Sequence, residues 1–279
     1  MVGREHNPHQ AFGWRPLFIR EIRERAESDG LLQATHDLLK RDNVTVTAKG
    51  HVSALKNHQG GMLFIGDHSR QFEFVALMYA LSQVGRTSMK NIVKFYVEHQ
   101  VSWALGKVGT AITLPVYPRL LDKDRRNKIN FELSSRIIFR RSLQVAKDAR
   151  RLTNESLAAA SKELSLGGSV NIFPCGGIVD SMKKPWRKGV GQIVHQLPKE
   201  DRDDVLVIPY HADNINRARL VAAVAARGCG VLGRPQGIDI IFGQPQTAAE
   251  IMDGVSRARQ DDPRAITDVL RQQYIANFG

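Results

Sequence analysis

A histidine and a glutamate stand five residues apart in the stretch 64–81, FIGDHSRQFEFVALMYAL, where a strand-like apolar run meets a helix-like one. The pair is His68 and Glu73. A side chain early in a helix leans toward the N-terminus, so Glu73 is predicted to point toward the loop that carries His68. A carboxylate beside an imidazole fixes its tautomer and raises its basicity, which suits a general base. The alternative is a purely structural role, in which Asp67, His68 or Ser69 caps the helix at an exposed sheet edge.

The elements that would position this pair are β-rich runs alternating with helical stretches from Val44 onward. The predicted strands cover 45–48, 62–65, 92–97, 111–116, 169–173, 205–209 and 238–242. The predicted helices cover 71–83, 99–107, 130–164, 187–197, 214–227 and 247–258. This alternation predicts an α/β fold whose mostly parallel mixed sheet is flanked by helices on both faces.

A pair of helices is predicted before this sheet, in residues 14–43. Its first helix places the apolar residues Trp14, Leu17, Phe18 and Ile22 on one face, and the SDG sequence at 28–30 breaks the pattern. We therefore predict an N-terminal helical segment, 1–43, followed by an α/β domain, 44–279, that forms a single structural unit.

Length and composition limit the class of protein. The chain has 279 residues, 42% of them hydrophobic, which suffices for one large core. Its two cysteines, Cys175 and Cys229, are too few for a disulfide framework and favour a reducing compartment. No signal-peptide pattern is found, and no apolar segment reaches the length of roughly 18 residues that spans a membrane. We expect a cytoplasmic protein, with peripheral attachment to a membrane left open.

The net charge of +12 is concentrated in one stretch. Between Arg119 and Arg151, eleven arginines and lysines stand against four acidic residues. Such a stretch suits an anionic membrane surface, an acidic carrier protein or the phosphates of coenzyme A, and it equally suits a solvated helical face. The sequence has no zinc-finger spacing, RNP-like aromatic string or clear helix-turn-helix signature, so nucleic acid is not an expected partner.

Five later segments resemble, in order and spacing, the motifs of the glycerolipid acyltransferase superfamily, which includes the acylglycerol-phosphate acyltransferases. These segments are AITLPV at 111–116 followed by Arg119, NIFPCGG at 171–177, WRKG at 186–189, VIP at 207–209 and IDIIFGQP at 238–245. His68 with Glu73 resembles the family's catalytic motif, in which the carboxylate is usually an aspartate. The resemblance implies that His68 and Glu73 are catalytic. It also implies that a set of residues binds substrate: Arg119, Pro174, Cys175, Gly176, Gly177 and Lys188.

The resemblance implies direct transfer of a fatty acyl group from acyl-CoA or acyl carrier protein to a hydroxyl or amine, without a metal or other cofactor. Backbone N–H groups after His68 or in the turn 175–177 are the expected oxyanion donors. Cys175 stands where the family has glutamate, and it is either a small residue that fits the turn or the nucleophile of an acyl-enzyme. Ile178 stands where the family has an acceptor-binding arginine, so we expect an acceptor other than lysophosphatidate.

Two alternatives remain open at this stage. One is a catalytically silent protein of the same fold that binds a lipid or a carrier, because the third motif has lost its glutamate and its arginine. The other is an ordinary lysophosphatidate acyltransferase, in which Arg119, Lys183, Lys184 or Lys188 supplies the missing cation.

Overall fold

A computed structural model describes residues 23–27, 29–41, 43–67, 73–86, 88–94, 113–116, 142–176, 182–215 and 236–279. Its strands are β1 (Val44–Gly50), β2 (Gly61–Gly66), β3 (Lys90–Lys94), β4 (Thr113–Val116), β5 (Ser169–Ile172), β6 (Val205–Asp213), β7 (Gln236–Phe242) and β8 (Gln246–Thr247). Its helices of known bounds are α1 (Leu31–Arg41), α2 (Val52–Asn57), α3 (Glu73–Ser82), α4 (Ser142–Ser165), α5 (Gly189–His195), α6 (Ala248–Asp253) and α7 (Pro263–Phe278). Single 3-10 turns cover Lys199–Asp201 and Arg257–Arg259.

The strands form one mixed sheet in the order β1-β7-β6-β2-β5-β3-β4, with β8 paired to β6. Strands β6, β2, β5, β3 and β4 run parallel to one another, and β1 runs parallel to β7. The antiparallel pairs are β6 with β7 and β6 with β8. The predicted mostly parallel mixed sheet is therefore confirmed. Because five strands share one direction, the residues that follow β2, β5 and β6 emerge at the same edge.

Helices cover both faces of this sheet, as predicted. Strand β2 is buried throughout, and its side chains alternate between two core clusters. Met62 and Phe64 pack with residues of α1 and α3 on one face. Leu63 and Ile65 pack with residues of α4, α5, α6 and α7 on the other. A strand that is apolar on both sides requires such cover, which explains the continuous apolar run at 62–65.

The N-terminal helical pair is described in part. Residues 23–27 are helical, Gly30 has a φ of 81°, and α1 follows directly, in agreement with a break at 28–30. The start of the first predicted helix, including Trp14, lies outside the described residues, and the division at residue 43 remains a prediction. The same holds for most of the basic stretch, of which the structure describes residues 142–151 at the start of α4.

Other sequence predictions have mixed outcomes. The predicted helix 99–107 and residues 216–227 of the predicted helix 214–227 fall outside the described residues. Asn214 and Ile215 are described and are not helical, so that prediction was wrong at its start. Helices α2 and α7 were not predicted. Across the described part of the chain, no helix combines the length and the apolarity that crossing a membrane requires.

Candidate active site

Two carboxylates lie inside the protein near the carboxyl end of β2. Asp67 directly follows this strand and is 7% exposed. Glu73 is the first described residue of α3 and is 1% exposed. The helix-cap alternative placed this junction at an exposed sheet edge, and both carboxylates are instead buried. His68, which stands between them in the chain, lies outside the described residues.

The burial of Glu73 follows from the packing of its helix. Helix α3 is apolar around most of its circumference, and Ala76, Leu77 and Ala80 are fully buried against the sheet. Because this helix is buried on most of its sides, its first turn, which carries Glu73, is buried as well. Glutamate is rarely buried this far unless it is paired or functional, so the position of Glu73 needs a reason beyond solubility.

The turn that follows β5 lies at the same sheet edge. Strands β2 and β5 pair in parallel, with Ile65 opposite Ile172, so the turn 173–176 emerges beside Asp67. The Gly176 N–H donates a hydrogen bond to the carbonyl oxygen of Phe173 at 2.9 Å and closes the turn. Gly176 has a φ of 65°, which favours glycine. The structure thus brings the predicted residues Pro174, Cys175 and Gly176 to the edge that carries Asp67.

Cys175 is partly exposed and packs at the border of the second core cluster. Its Sγ lies 3.9 Å from the carbonyl oxygen of Lys184. This weak contact places the thiol against the neighbouring loop. The position agrees with the first alternative for Cys175, a small residue that fits the turn. Two other predicted substrate-binding residues, Arg119 and Gly177, lie outside the described residues.

A basic loop, residues 182–188, runs beside this turn. The Arg187 N–H donates to the carbonyl oxygen of Pro174 at 2.9 Å. A Cβ atom added to Gly176 would lie 3.0 Å from Nε and 3.2 Å from Cδ of Arg187, so the Arg187 side chain crosses the turn. Lys188, a predicted site residue, is exposed and directly precedes α5. Sequence reasoning missed Arg187, although it belongs to the same WRKG motif as Lys188.

Helix α7 fixes this loop in place. Arg271 Nη2 donates to the carbonyl oxygen of Met182 at 2.8 Å, and Arg264 Nη1 donates to that of Trp186. The indole ring of Trp186 is 1% exposed and meets the ring of Tyr274 edge to face, with centroids 5.5 Å apart. The basic side chains of the loop are therefore held on an anchored backbone.

Three buried polar residues that sequence reasoning missed lie next to the carboxyl end of β2. Tyr210 Oη donates to Asn171 Oδ1 at 3.1 Å, and Asn171 Nδ2 donates to Asn91 Oδ1 at 3.0 Å. None of the three is more than 4% exposed. We call this set the Tyr210 chain. The available signal was Asn171 inside the β-rich run 169–173, at a position that otherwise calls for an apolar residue, whereas Asn91 directly precedes the predicted run 92–97.

Burial raises the pKa of the Tyr210 phenol well above its ordinary value. The negative charge of Glu73 is the next cause, and Asp67 adds a smaller effect in the same direction. The hydrogen bond with Asn171 opposes this rise. The phenol therefore stays protonated at neutral pH, and both carboxylates lie close enough to act on it electrostatically.

The Tyr210 ring requires glycine at position 66. A Cβ atom at Gly66 would lie 2.2 Å from Cζ and 2.5 Å from Oη of Tyr210, so a methyl group there overlaps the ring. We expect Gly66→Ala to lower the free energy of unfolding by about 1–3 kcal/mol, the usual cost of overpacking a core. Denaturation by urea measures this change.

Gly237→Ala is the matched control for this prediction. Gly237 also lies in a strand, β7, and a Cβ atom there would meet nothing within 4 Å. We expect its free energy of unfolding to stay within about 0.5 kcal/mol of wild type. Equal stability of the Gly66 and Gly237 variants would contradict the packing described.

A cavity at the other end of the sheet is separate from this site. It has a volume of about 340 Å³ and lies at the amino ends of β2 and β6, lined in part by Ser165, Asp201 and Asp204. Its lining includes none of the predicted site residues. In the described ranges, no group of three His, Cys, Asp or Glu side chains is placed to hold a metal ion.

Comparisons of the sequence with protein families and with curated proteins identify no relative of this chain. A scan against protein-family models finds no matching family, and a search of curated proteins finds no match. An activity can therefore be proposed only from the motifs of this chain and from the geometry of its residues.

Proposed function

We propose that this chain is an acyltransferase that moves a fatty acyl group from an acyl thioester to a hydroxyl or amine of a lipid or specialised metabolite. The donor is acyl-CoA or acyl carrier protein. The observation that carries the proposal is the buried carboxylate of Glu73, five residues after His68 at the carboxyl end of β2. A solvated helix cap does not need a carboxylate that is 1% exposed. A carboxylate stabilises a nearby imidazolium more strongly when the two groups are shielded from water.

In the proposed reaction, His68 removes the proton of the acceptor hydroxyl or amine as its oxygen or nitrogen attacks the thioester carbonyl carbon. The carbon–sulfur bond then breaks, and the proton passes from His68 to the departing thiolate. Glu73 stabilises the imidazolium that exists between these two steps.

The oxyanion that forms on attack needs backbone donors. The Gly176 N–H is already engaged with Phe173 inside the turn. We therefore assign the oxyanion to N–H groups that follow His68 or to those of Cys175 and Gly177.

Exposed cations beside the turn support a donor that carries phosphate. The side chains of Lys183, Lys184, Arg187 and Lys188 are all exposed. The described residues of this region, 174–176 and 182–198, include no acidic residue. Coenzyme A carries phosphates, and guanidinium and ammonium groups bind phosphate well. The basic loop is the proposed contact for these phosphates.

We expect Lys188→Glu to raise KM for acyl-CoA about fivefold while kcat stays near its wild-type value, because exposed charge pairs contribute up to about 1 kcal/mol. The increase should shrink as salt is added, since ions screen exposed charges. Initial rates at low and high salt measure both effects.

Lys199→Glu provides the control for this charge reversal. Lys199 is exposed and lies in the 3-10 turn that precedes β6, at the amino end of the sheet. The same change of charge there should leave KM within about twofold. A rise in KM of similar size in both variants would show that overall charge, rather than the basic loop, governs donor binding.

Two observations bear on the acceptor in opposite directions. The apolar Ile178, which lies outside the described residues, predicts an acceptor other than lysophosphatidate. Arg187 brings a guanidinium to the same turn from another segment, which favours an anionic acceptor. A competition assay with lysophosphatidate and neutral hydroxylated or amino acceptors decides between them, and dominant formation of phosphatidate would contradict the prediction from Ile178.

The proposal is tested by following release of free thiol from acyl-CoA with and without acceptors. Acyl transfer predicts thiol release that depends on an acceptor. A catalytically silent lipid- or carrier-binding protein, the alternative function, would bind the thioester or the lipid without releasing thiol. Peripheral attachment to an anionic membrane remains a proposal that rests on the basic stretch 119–151.

A further inference from the structure

The Tyr210 chain crosses four neighbouring strands at the edge that carries the proposed site. Tyr210 lies on β6, Asn171 on β5 and Asn91 on β3, and β2 runs between β6 and β5. Tyr210 can reach across β2 because the residue opposite it is Gly66, which has no side chain to block the ring. The hydrogen bonds of 3.1 Å and 3.0 Å then link the three strands β6, β5 and β3 through their side chains.

The hydrogen-bonded residues of the Tyr210 chain lie on the face of the sheet that α3 covers. Asn171 pairs with Phe64 and Tyr210 pairs with Gly66, and residues paired across parallel strands share a face. Phe64 and Tyr210 belong to the core cluster that includes Ala76 of α3. The Tyr210 chain therefore lies under the helix whose first turn carries Glu73, and the effect of Glu73 on the pKa of the phenol agrees with this placement.

Burying polar side chains at these three positions costs folding free energy. Phenylalanine at 210 and leucine at 171 would fill the same space without removing hydroxyl and amide groups from water. Once buried, each group depends on its neighbour, because loss of one donor leaves the next acceptor unpaired. An array of this kind holds its members in one arrangement, which is a property that a catalytic site uses.

We propose that Tyr210 is a positioning residue for acyl transfer, and that its hydrogen-bonded chain through Asn171 and Asn91 fixes neighbouring strands on the face of the sheet that α3 covers, beneath Glu73. The role rests on the proposed function, because Glu73 acts through His68 in that reaction. Tyr210 takes no proton and touches no substrate in this account. Its hydroxyl keeps Glu73 in the arrangement that supports the imidazolium.

The test is Tyr210→Phe in two backgrounds, wild type and Glu73→Gln. In the wild-type background we expect kcat to fall about tenfold with KM within about twofold, because the loss of one hydrogen bond disturbs the positioning of Glu73 but not the binding of substrate. In the Glu73→Gln background, whose residual turnover comes from His68, the same substitution should change kcat less than about twofold because the group it positions has lost its charge.

Tyr274→Phe is the matched control. Tyr274 is also a buried phenol, 1% exposed, and its hydroxyl donates to the carbonyl oxygen of Tyr210 at 3.4 Å from the opposite core cluster. Its removal costs a buried hydrogen bond as well, yet kcat should stay within about twofold.

Two results would overturn the positioning role while leaving acyl transfer intact. One is an equal fold-loss of kcat from Tyr210→Phe in both backgrounds, and the other is an equal loss from Tyr274→Phe. Absence of acyl transfer by the wild-type protein would overturn the proposed function and the role of Tyr210 together. The wild-type rate, measured first, separates these cases.

Discussion

Replacement of His68 by alanine is expected to lower kcat for acyl transfer by about 10²- to 10⁴-fold, the usual contribution of a general base. The acceptor then has no group to take its proton, while the thioester still binds. The protein should remain folded because the strand before His68 and the helix after it are each held by their own apolar packing. Steady-state rates measure the loss, and far-ultraviolet circular dichroism checks the fold.

His58→Ala is the control for this loss. His58 lies in the loop that precedes β2, at the end opposite to the proposed site, and its Nε2 is 3.1 Å from the carbonyl oxygen of Asp204. We expect its kcat to stay within about twofold of wild type, as for a surface substitution away from the site. Near-wild-type turnover by a folded His68→Ala protein would exclude a histidine base.

Glu73→Gln is expected to lower kcat about 100-fold, because glutamine keeps the shape of the side chain and removes the charge that stabilises the imidazolium. Cys175→Ser should lower kcat far less, since the direct mechanism makes no bond to sulfur. The two variants, assayed with the same thioester and acceptor, measure the difference.

The opposite order of effects would support a covalent mechanism. An acyl-enzyme at Cys175 requires the thiolate as nucleophile, so the serine variant would lose turnover and the wild-type protein would carry an acyl group on this residue. Intact-mass measurement after rapid quenching detects such an adduct. An adduct on Cys175 together with an inactive Cys175→Ser variant would contradict direct transfer.

The sheet was predictable because most of its strands are short β-rich runs bounded by turn residues, which is the local pattern of a buried strand. Their pairing was not predictable in detail. Strand β6 joins β7 in antiparallel register, with Tyr210 opposite Phe242, and that choice depends on contacts distant in sequence. Helix α7 had a local signal that was overlooked, an Asp262 cap with Pro263 in the first turn.

The candidate site was predictable as a set of residue types and only partly as an arrangement. The motif at 171–177 was recognised from sequence order, and the parallel pairing of β2 and β5 explains why its turn meets the end of β2. The burial of Glu73 and the contact of Arg187 with Gly176 arise from helix and loop packing, which a linear pattern does not encode. The Tyr210 chain joins three strands far apart in sequence, so no single motif contains it.

The most direct test of acyl transfer is mass spectrometry of the products formed from an isotopically labelled acyl thioester and an extract of hydroxyl- and amine-containing lipids and metabolites. Both acyl-CoA and acyl carrier protein serve as donors in parallel. The account predicts a product heavier by one labelled acyl group, formed by the wild-type protein and absent with His68→Ala. Intact thioester and no acylated product with either donor, under conditions in which the folded wild-type protein binds the donor, would contradict it.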